Sequence, residues 1–419
     1  MAQRLVRAKA LSRQQLEWLI IPAAFGLCIL VAFWPGLRSG FHSDDFVLIT
    51  EAQLNHFDLA LFKVDPVWWF YRPFSKLVWL CMYRLWGLNS TPYHLVSLGL
   101  HWLNTLLVVA LVRQITERPA AAFGAGLLFA LLPFHVESVV WLASQYDLLA
   151  TCGYLATLLG TLLFWRRRSI WLYLLSLLTY QISLWSKELA FTLPLMIVLL
   201  WLHAHDRPRV RILGVSLLPY LMLLSINLLQ RYLVWGSIGG YGSASSDYAS
   251  FVWDHLAGTL ALMLGPLHRM IFPASVAQLW MLGISVMVIA GLMAGLNQRM
   301  LLLAFAWLGL TLLPVLNIMP PDTDMQNTRQ LYLPGVGLSI ALVALLDAIV
   351  KRFAGDRRAV FVLSVAVVGL LYTSILWAQI QPWVVAGREA THVVEELHRF
   401  VPRFPIGSRL QVVGLPDNY

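Results

Sequence analysis

The sequence predicts an all-α protein that crosses a membrane many times. Of its 419 residues, 59% are hydrophobic and only 12% are charged. The mean hydropathy is +0.70, and a water-soluble domain cannot bury that much apolar surface. Apolar runs close to the roughly 20 residues needed to cross a bilayer recur along the chain. The net charge of +9 is therefore interpreted through membrane topology, and no nucleic-acid partner is expected.

Eleven apolar runs are predicted to span the membrane, and the third and fifth are short. They lie at 17–37, 94–113, 119–133, 147–165, 170–185, 188–203, 212–235, 278–296, 300–318, 331–350 and 359–379. A twelfth apolar stretch, 254–272, carries charged or histidine side chains at both ends.

The basic residues decide whether the twelfth stretch crosses, because loops rich in Lys and Arg stay on the cytoplasmic side. The N-terminus is basic and is placed inside. A full crossing at 254–272 would then put Lys351, Arg352, Arg357 and Arg358 outside. A re-entrant or interfacial helix brings every basic cluster to the cytoplasm, so 254–272 is predicted not to cross.

The chain is interpreted as one membrane domain, 1–379, followed by a short outer tail, 380–419. No internal repeat or low-complexity linker divides it. The first apolar run lacks a small-residue cleavage motif and is predicted to be a retained span. The three cysteines lie in or beside apolar runs, so they are expected to be small buried hydrophobic side chains and not a disulfide framework.

The first predicted outer loop, 38–93, opens with two adjacent carboxylates, Asp44 and Asp45. One interpretation is that they solvate the loop or cap a helix that starts at Phe46. The other is a catalytic carboxylate held at the membrane surface. An aromatic and basic stretch at 68–72 follows, and Trp and Tyr favour the headgroup layer. The loop is therefore predicted to lie along the membrane as short amphipathic helices.

Polar and ionisable side chains gather in the predicted outer half of the membrane, where such groups are costly and often functional. The set comprises His101, His135, Glu137, Asp147, Lys187, Arg231, Arg329 and Tyr332. Each has a structural alternative: the histidines as core donors, Lys187 with Glu188 as an ion pair, and Arg231 as a snorkelling cation. Their shared depth favours one water-filled cavity that opens outward.

Carboxylates and cations have different tasks in such a cavity. An Asp can take the proton of an attacking acceptor, and Lys or Arg can stabilise an anionic leaving group such as a phosphate. This pairing suits a sugar carried on a polyprenyl phosphate. Since the phosphate leaves without an acid, one base suffices, unlike the two carboxylates of a glycoside hydrolase.

Four segments in register resemble the motif series of GT-C glycosyltransferases. They are the loop with Asp44 and Asp45, the pair Pro133 to Val139 and Ser144 to Leu149, the turn Ser186-Lys187-Glu188, and Thr328 to Pro334. The resemblance is strongest to the membrane portion of the transmembrane and tetratricopeptide-repeat O-mannosyltransferases and their bacterial relatives. It covers roughly residues 17 to 350.

The resemblance implies a GT-C fold and an inverting transferase that uses a polyprenyl-phosphate sugar on the outer face. It implies that Asp44 is the base, with Asp45 supporting it or exchanging roles. It further implies donor- or acceptor-orienting roles for His101, His135, Glu137 and Asp147, and phosphate-binding roles for Lys187, Arg231, Arg329 and Tyr332.

The acceptor, the metal requirement and the compartment are predicted less directly. No helical-repeat array follows the last predicted span, so the resemblance does not select the acceptor. A protein side chain, a lipid A sugar and another glycan all remain open. Two adjacent carboxylates without a clear third ligand make a poor octahedral site, so no essential metal is expected. A bacterial inner membrane with a periplasmic site is preferred.

Other functions would also place cations in a membrane cavity. A transporter or lipid flippase would be expected to have internal repeats with broken helices in matching positions, and none is evident. A glycan polymerase that joins lipid-linked units would carry a large Arg-rich outer loop late in the chain, whereas 319–330 is short. The third alternative, a non-catalytic scaffold, leaves the acidic pair at 44–45 without a task.

Overall fold

The computed structural model describes residues 13–63, 70–204, 207–236, 248–269, 271–295, 297–316, 320–322, 324–354 and 357–400. Within these ranges the chain consists of helices joined by turns, and no β-strand occurs. Eight helices in the described ranges are long and apolar enough to cross a membrane, and one bent helix pair is a ninth candidate. The predicted class, an all-α polytopic membrane protein, is confirmed.

The α-helices of the described ranges follow one another in this order: α1 (Arg13–Phe33), α2 (Asp45–Leu54), α3 (Pro73–Trp86), α4 (Ser90–Thr116), α5 (Pro119–Leu131), α6 (Val136–Val140), α7 (Gln145–Arg167), α8 (Ile170–Leu184), α9 (Leu193–His203), α10 (Val210–Trp235), α11 (Tyr248–Leu264), α12 (Ala274–Met293), α13 (Gln298–Leu312), α14 (Pro334–Phe353) and α15 (Arg357–Phe400).

The predicted spans coincide with helices, but several of these helices are short. α8 has 15 residues and α9 has 11, fewer than the roughly 20 that cross a bilayer. The third span bends by 53° between Pro119–Leu131 and Pro133–Val140, because a proline cannot continue the helical hydrogen bonding. α11, in the twelfth stretch, has 17 residues. Eleven crossings, with 254–272 not crossing, therefore remain a prediction.

α7 forms the centre of the bundle and packs against α4 and α8. Its apolar window is 72% buried, whereas that of α12 is 6% buried. Glycines let α7 and α8 approach closely: a Cβ on Gly153 would lie 2.6 Å from the carbonyl oxygen of Thr179. Small residues at helix interfaces are typical of membrane bundles. α12 and other peripheral helices expose their leucines, as lipid-facing helices do.

The segment 38–93 carries two short helices, α2 and α3, at one end of the bundle. α15 has 44 residues, about 66 Å of helix, which is longer than the roughly 30 Å hydrocarbon core. The part of α15 beyond the predicted span contacts the loop before α2: a Cβ on Gly40 would lie 2.7 Å from the carbonyl oxygen of Gly387. Residues 401–419 of the predicted outer tail and the tryptophans at 68–69 lie outside the described residues.

Candidate active site

A cavity of about 180 Å³ lies between the helices of the segment 38–93 and the start of α7. It is lined by Asp44, Leu48, Glu51, Phe70, Arg72, Lys76, Trp141, Ala143, Tyr146, Asp147, Lys187 and Arg329. Four of the predicted site residues therefore meet here from four separate parts of the sequence: Asp44, Asp147, Lys187 and Arg329. Among the described lining residues, four cations face three carboxylates.

Asp44 occupies the position just before α2, but its side chain makes no helix-capping hydrogen bond. It is half-buried at the cavity wall. Burial raises the pKa of Asp44, and the positive charge of Arg329 partly opposes that increase. Ser43, immediately before it, has a φ of 52°, a left-handed conformation that non-glycine residues adopt mainly at constrained sites. The helix-capping interpretation of Asp44 is thus not observed, and a half-buried carboxylate with a raised pKa suits a base.

Asp45 points away from the cavity and is fully buried. Its two carboxylate oxygens accept hydrogen bonds from the backbone N–H groups of His42 at 3.1 Å and Ala143 at 2.7 Å. Burial raises the pKa of Asp45 to about 8, although both N–H donors favour the charged form. Asp45 therefore connects the loop 39–44, called the acidic loop below, to the turn before α7. The predicted exchange of roles with Asp44 has no geometric support.

Glu137 holds the loop that carries Arg329. It is almost fully buried and accepts hydrogen bonds from the backbone N–H of Asn327 at 3.2 Å and of Arg329 at 2.7 Å. The Arg329 guanidinium also donates to Glu137 and lies 4.9 Å from the centroid of the Trp141 ring. A carboxylate and an aromatic face together fix a guanidinium. Glu137 does not line the cavity, so its geometry is that of a positioning residue behind Arg329.

The charged side chains of Lys187 and Glu188, which are neighbours in one turn, contact different partners. The Lys187 ammonium donates to both carboxylate oxygens of Asp147, at 2.7 and 2.6 Å. Glu188 accepts from Arg72 at 2.7 Å and from Arg231 at 2.7 Å. The structural alternative of a Lys187–Glu188 ion pair is therefore not what the structure shows. Lys187 faces the cavity, and Glu188 holds Arg72 at its wall.

Arg72, Lys76 and Glu51 line the cavity but were not predicted as site residues. Arg72 directly precedes α3, and Lys76 lies one turn later, where its ammonium is 2.7 Å from Glu51. Two cations at i and i+4 share one side of a helix start, and this spacing is the signal that sequence reasoning could have used. The sequence places both in the predicted outer loop 38–93, where charged residues are ordinary, so the spacing was not interpreted as a site.

Other predicted site residues lie behind the cavity lining. The rings of His101, His135 and Tyr332 are fully buried and pack together, with centroids of His135 and Tyr332 4.6 Å apart. The Tyr332 hydroxyl lies 2.7 Å from Nδ1 of His101. Arg231 is also buried, against Glu188 and the backbone of Tyr71. The structure therefore does not bring the predicted orienting histidines, Arg231 or Tyr332 to the cavity.

A metal site was not expected in this cavity. Within the residues that the structure describes, no three His, Cys, Asp or Glu side chains cluster as metal ligands would. The expectation that no metal is essential stays a prediction.

Known proteins share part of this sequence. The chain is 30% identical over 122 residues to the protein O-mannosyl-transferase Tmtc1 of Drosophila melanogaster. It is similar to the protein O-mannosyl-transferases. It is also 34% identical over 89 residues to TMTC2 of Homo sapiens and 38% identical over 76 residues to Tmtc2 of Drosophila melanogaster.

The similarity is limited in extent. It covers 29% of this chain for Tmtc1, 21% for human TMTC2 and 18% for fly Tmtc2. The matched segments span only 14%, 11% and 8% of those relatives. No protein-family model matches the chain. The resemblance inferred from the four motifs is confirmed at this level, and these O-mannosyl-transferases are eukaryotic.

Proposed function

We propose that this chain is an inverting glycosyltransferase that moves a sugar from a polyprenyl-phosphate donor to an acceptor at the cavity beside Asp44. The observation that carries the proposal is the opposition of a half-buried carboxylate and several cations within one cavity of about 180 Å³. The activity that names the similar proteins, protein O-mannosyl transfer, supports the same reaction type.

In the proposed reaction, an acceptor hydroxyl oxygen attacks the anomeric carbon of the donor sugar. The new carbon–oxygen bond forms as the bond from that carbon to the phosphate oxygen breaks, with inversion. Asp44 takes the hydroxyl proton, and the polyprenyl phosphate leaves with the bonding electron pair. The raised pKa of Asp44 makes it a stronger base than an ordinary aspartate. No oxidant, reductant or further reactant is needed.

The cations supply the binding of the phosphate and the stabilisation of the leaving group. The side chain of Arg72 is held by Glu188, that of Arg329 by Glu137 and that of Lys187 by Asp147. Cations fixed before the reaction cost little reorganisation when negative charge develops on the phosphate. The guanidinium groups can bind phosphate oxygens in a bidentate way, whereas Lys187 acts as a point charge.

The membrane setting favours a lipid-linked donor. The cavity lies at one end of a bundle of membrane-crossing helices, beside the short helices of the segment 38–93. A polyprenyl tail would remain in the bilayer while its phosphate reaches the cations near the headgroup layer. We place this end outside the cytoplasm, on the periplasmic side of a bacterial inner membrane. A protein hydroxyl is the acceptor that the names of the similar proteins favour, and a glycan hydroxyl fits the same chemistry.

A transfer assay with purified protein tests the proposal. Polyprenyl-phosphate mannose labelled in the sugar is mixed with peptide and glycan acceptors, and the label on each acceptor is counted. We expect transfer by the wild type and none by Asp44→Asn. Wild-type transfer in Asp44→Asn refutes the role of Asp44. If intact donor crosses the membrane of vesicles that contain the protein and is never cleaved, the transferase proposal is refuted and a flippase is indicated.

A further inference from the structure

A larger cavity, of about 470 Å³, lies at the opposite end of the bundle. Its walls come from the C-terminal ends of α4, α7, α9 and α14, the start of α5 and the turn between α12 and α13. The 27 residues of α4 separate the two ends by about 40 Å, and α7 begins at the candidate active site and ends here. This cavity is therefore distinct from the one that contains Asp44.

The mouth of this cavity is positively charged. Four cations line it, Arg118, Arg166, Arg299 and Lys351, with two carboxylates, Glu117 and Asp347. With histidine counted as neutral, the described lining carries two net positive charges. The positive-inside rule accounts for basic residues at a cytoplasmic end. That rule does not account for the placement of four such residues around one cavity.

One carboxylate organises two of these cations. Arg118 donates hydrogen bonds to both oxygens of Asp347, at 2.6 and 2.7 Å. The Lys351 ammonium lies 2.7 Å from the same carboxylate. Asp347 neutralises one of the two charges, so the triad keeps one positive charge. The Arg118 and Lys351 side chains remain 49% and 51% exposed. Their exposed N–H groups can therefore still donate hydrogen bonds to an anion.

The inner wall of the cavity is apolar. Below the charged rim lie side chains of α4, α7, α9 and α14 that offer only hydrocarbon, namely Val112, Leu162, Leu200 and Val343. A small soluble anion would meet the rim but would gain nothing from this wall. A molecule with an anionic phosphate and an acyl chain matches both parts.

We propose that this cavity binds the headgroup of an anionic phospholipid, with its phosphate at Arg118 and Lys351 and the start of an acyl chain along the apolar wall. Basic pockets between membrane helices at the cytoplasmic face bind such headgroups in other proteins. The inference is independent of the proposed sugar transfer, because it uses none of the residues beside Asp44.

Lipid binding to the full-length purified protein tests this inference. Native mass spectrometry in detergent compares phosphatidylglycerol with zwitterionic phosphatidylcholine. We expect the protein to retain phosphatidylglycerol selectively. Arg118→Gln and Lys351→Gln should each weaken retention about fivefold, since a basic residue near an anionic surface contributes about 1 kcal/mol. Arg211→Gln removes an equal charge at the same end, outside the cavity lining, and should change nothing.

Three comparisons distinguish the possible outcomes. Lys351→Gln leaves the Arg118–Asp347 pair intact, so it reports on binding even if Arg118→Gln misfolds. Equal retention of both lipids, or unchanged retention in Lys351→Gln, overturns the proposal. Displacement of phosphatidylglycerol by millimolar inorganic phosphate also overturns it, because the ligand is then a soluble phosphate. Asp44→Asn should retain the lipid fully. The lipid-binding proposal and the sugar-transfer proposal can therefore fail independently of each other.

Discussion

Lys187 and Asp147 form a buried ion pair at the wall of the candidate active site. The Lys187 ammonium lies 2.7 and 2.6 Å from the two carboxylate oxygens of Asp147, and the side chains are only 7% and 3% exposed. A donor phosphate that reaches Lys187 therefore shares it with Asp147. These two contacts hold the Lys187 ammonium at the cavity wall before the donor arrives.

Substitutions in this ion pair should affect the stability of the protein and its binding of the donor in different ways. Lys187→Met leaves Asp147 buried without its partner, which costs about 3–5 kcal/mol in comparable pairs, and donor binding is lost. The double variant Lys187→Met with Asp147→Leu should regain most of the stability but not the binding. Thermal unfolding in detergent and donor titration measure the two effects. Donor binding by the double variant at wild-type affinity would show that Lys187 does not hold the phosphate.

Glu137→Gln should act through Arg329. The substitution weakens the hydrogen bonds that fix the loop and the guanidinium, so we expect the KM for the donor to rise about tenfold with a smaller change in kcat. Glu137→Asp should restore part of the loss. Because Glu137 and Arg329 act together, Glu137→Gln should add little to Arg329→Ala. Additive effects of the two substitutions would contradict a positioning role.

The two adjacent aspartates should respond differently to substitution at pH 7. Burial raises the pKa of Asp45 to about 8, so its carboxyl is largely protonated and neutral at pH 7. Asp45→Asn keeps the shape and the neutral state, and we expect it to retain activity within about tenfold, with loss of one hydrogen bond worth about 1 kcal/mol. Asp44→Asn should abolish transfer. A dead Asp45→Asn beside an active Asp44→Asn would reverse the assignment.

The pH dependence should report Asp44. A base works only when it is deprotonated, so kcat/KM falls as the pH drops below its pKa. Since burial raises that pKa, the acid limb should lie above the ordinary aspartate value of about 4. A pH profile of transfer from pH 4 to 8 measures it. Asp44→Glu should keep an acid limb and shift its midpoint, and an unchanged midpoint in that variant would assign the limb to another group.

The contact between α15 and the acidic loop should matter for activity. A Cβ on Gly387 would lie 2.6 Å from Oγ of Ser39 and 3.0 Å from the carbonyl oxygen of Gly40. Gly387→Ala should therefore displace the loop before Asp44, at about 1–3 kcal/mol, and lower transfer. Gly283→Ala, in a helix position with open space, is the control. Equal activity in both variants would show that α15 does not brace the site.

Part of this architecture could be predicted because ionisable residues are rare in the apolar sequence of a membrane protein. Charges such as Lys187 and Asp147 are costly at the ends of apolar spans, where they still lie in or near the membrane, so the sequence alone indicated them as candidates. The structure brings both to one cavity with Asp44 and Arg329. The hydropathy pattern likewise located the helices, and the all-α class was confirmed.

The remaining features depend on contacts that no local pattern encodes. Asp45 differs from Asp44 in part because it accepts a hydrogen bond from the backbone N–H of Ala143, 98 positions away. The burial of Tyr332 against His101 depends on the turn before α14 meeting α4. Arg72 and Lys76 were not predicted because charged residues are ordinary in an outer loop, which is where the hydropathy pattern placed them. The bend of 53° after α5 was also not predicted, although Pro133 marks its position.

The most direct measurement is a structure of the Asp44→Asn variant with an uncleaved polyprenyl-phosphate sugar bound. The substitution should stop the reaction while leaving the cations in place, so the donor should accumulate. We predict phosphate density within hydrogen-bonding distance of Lys187 or Arg329, with the anomeric carbon on the side of residue 44. Donor density at another location, with the cavity beside residue 44 empty, would contradict the account.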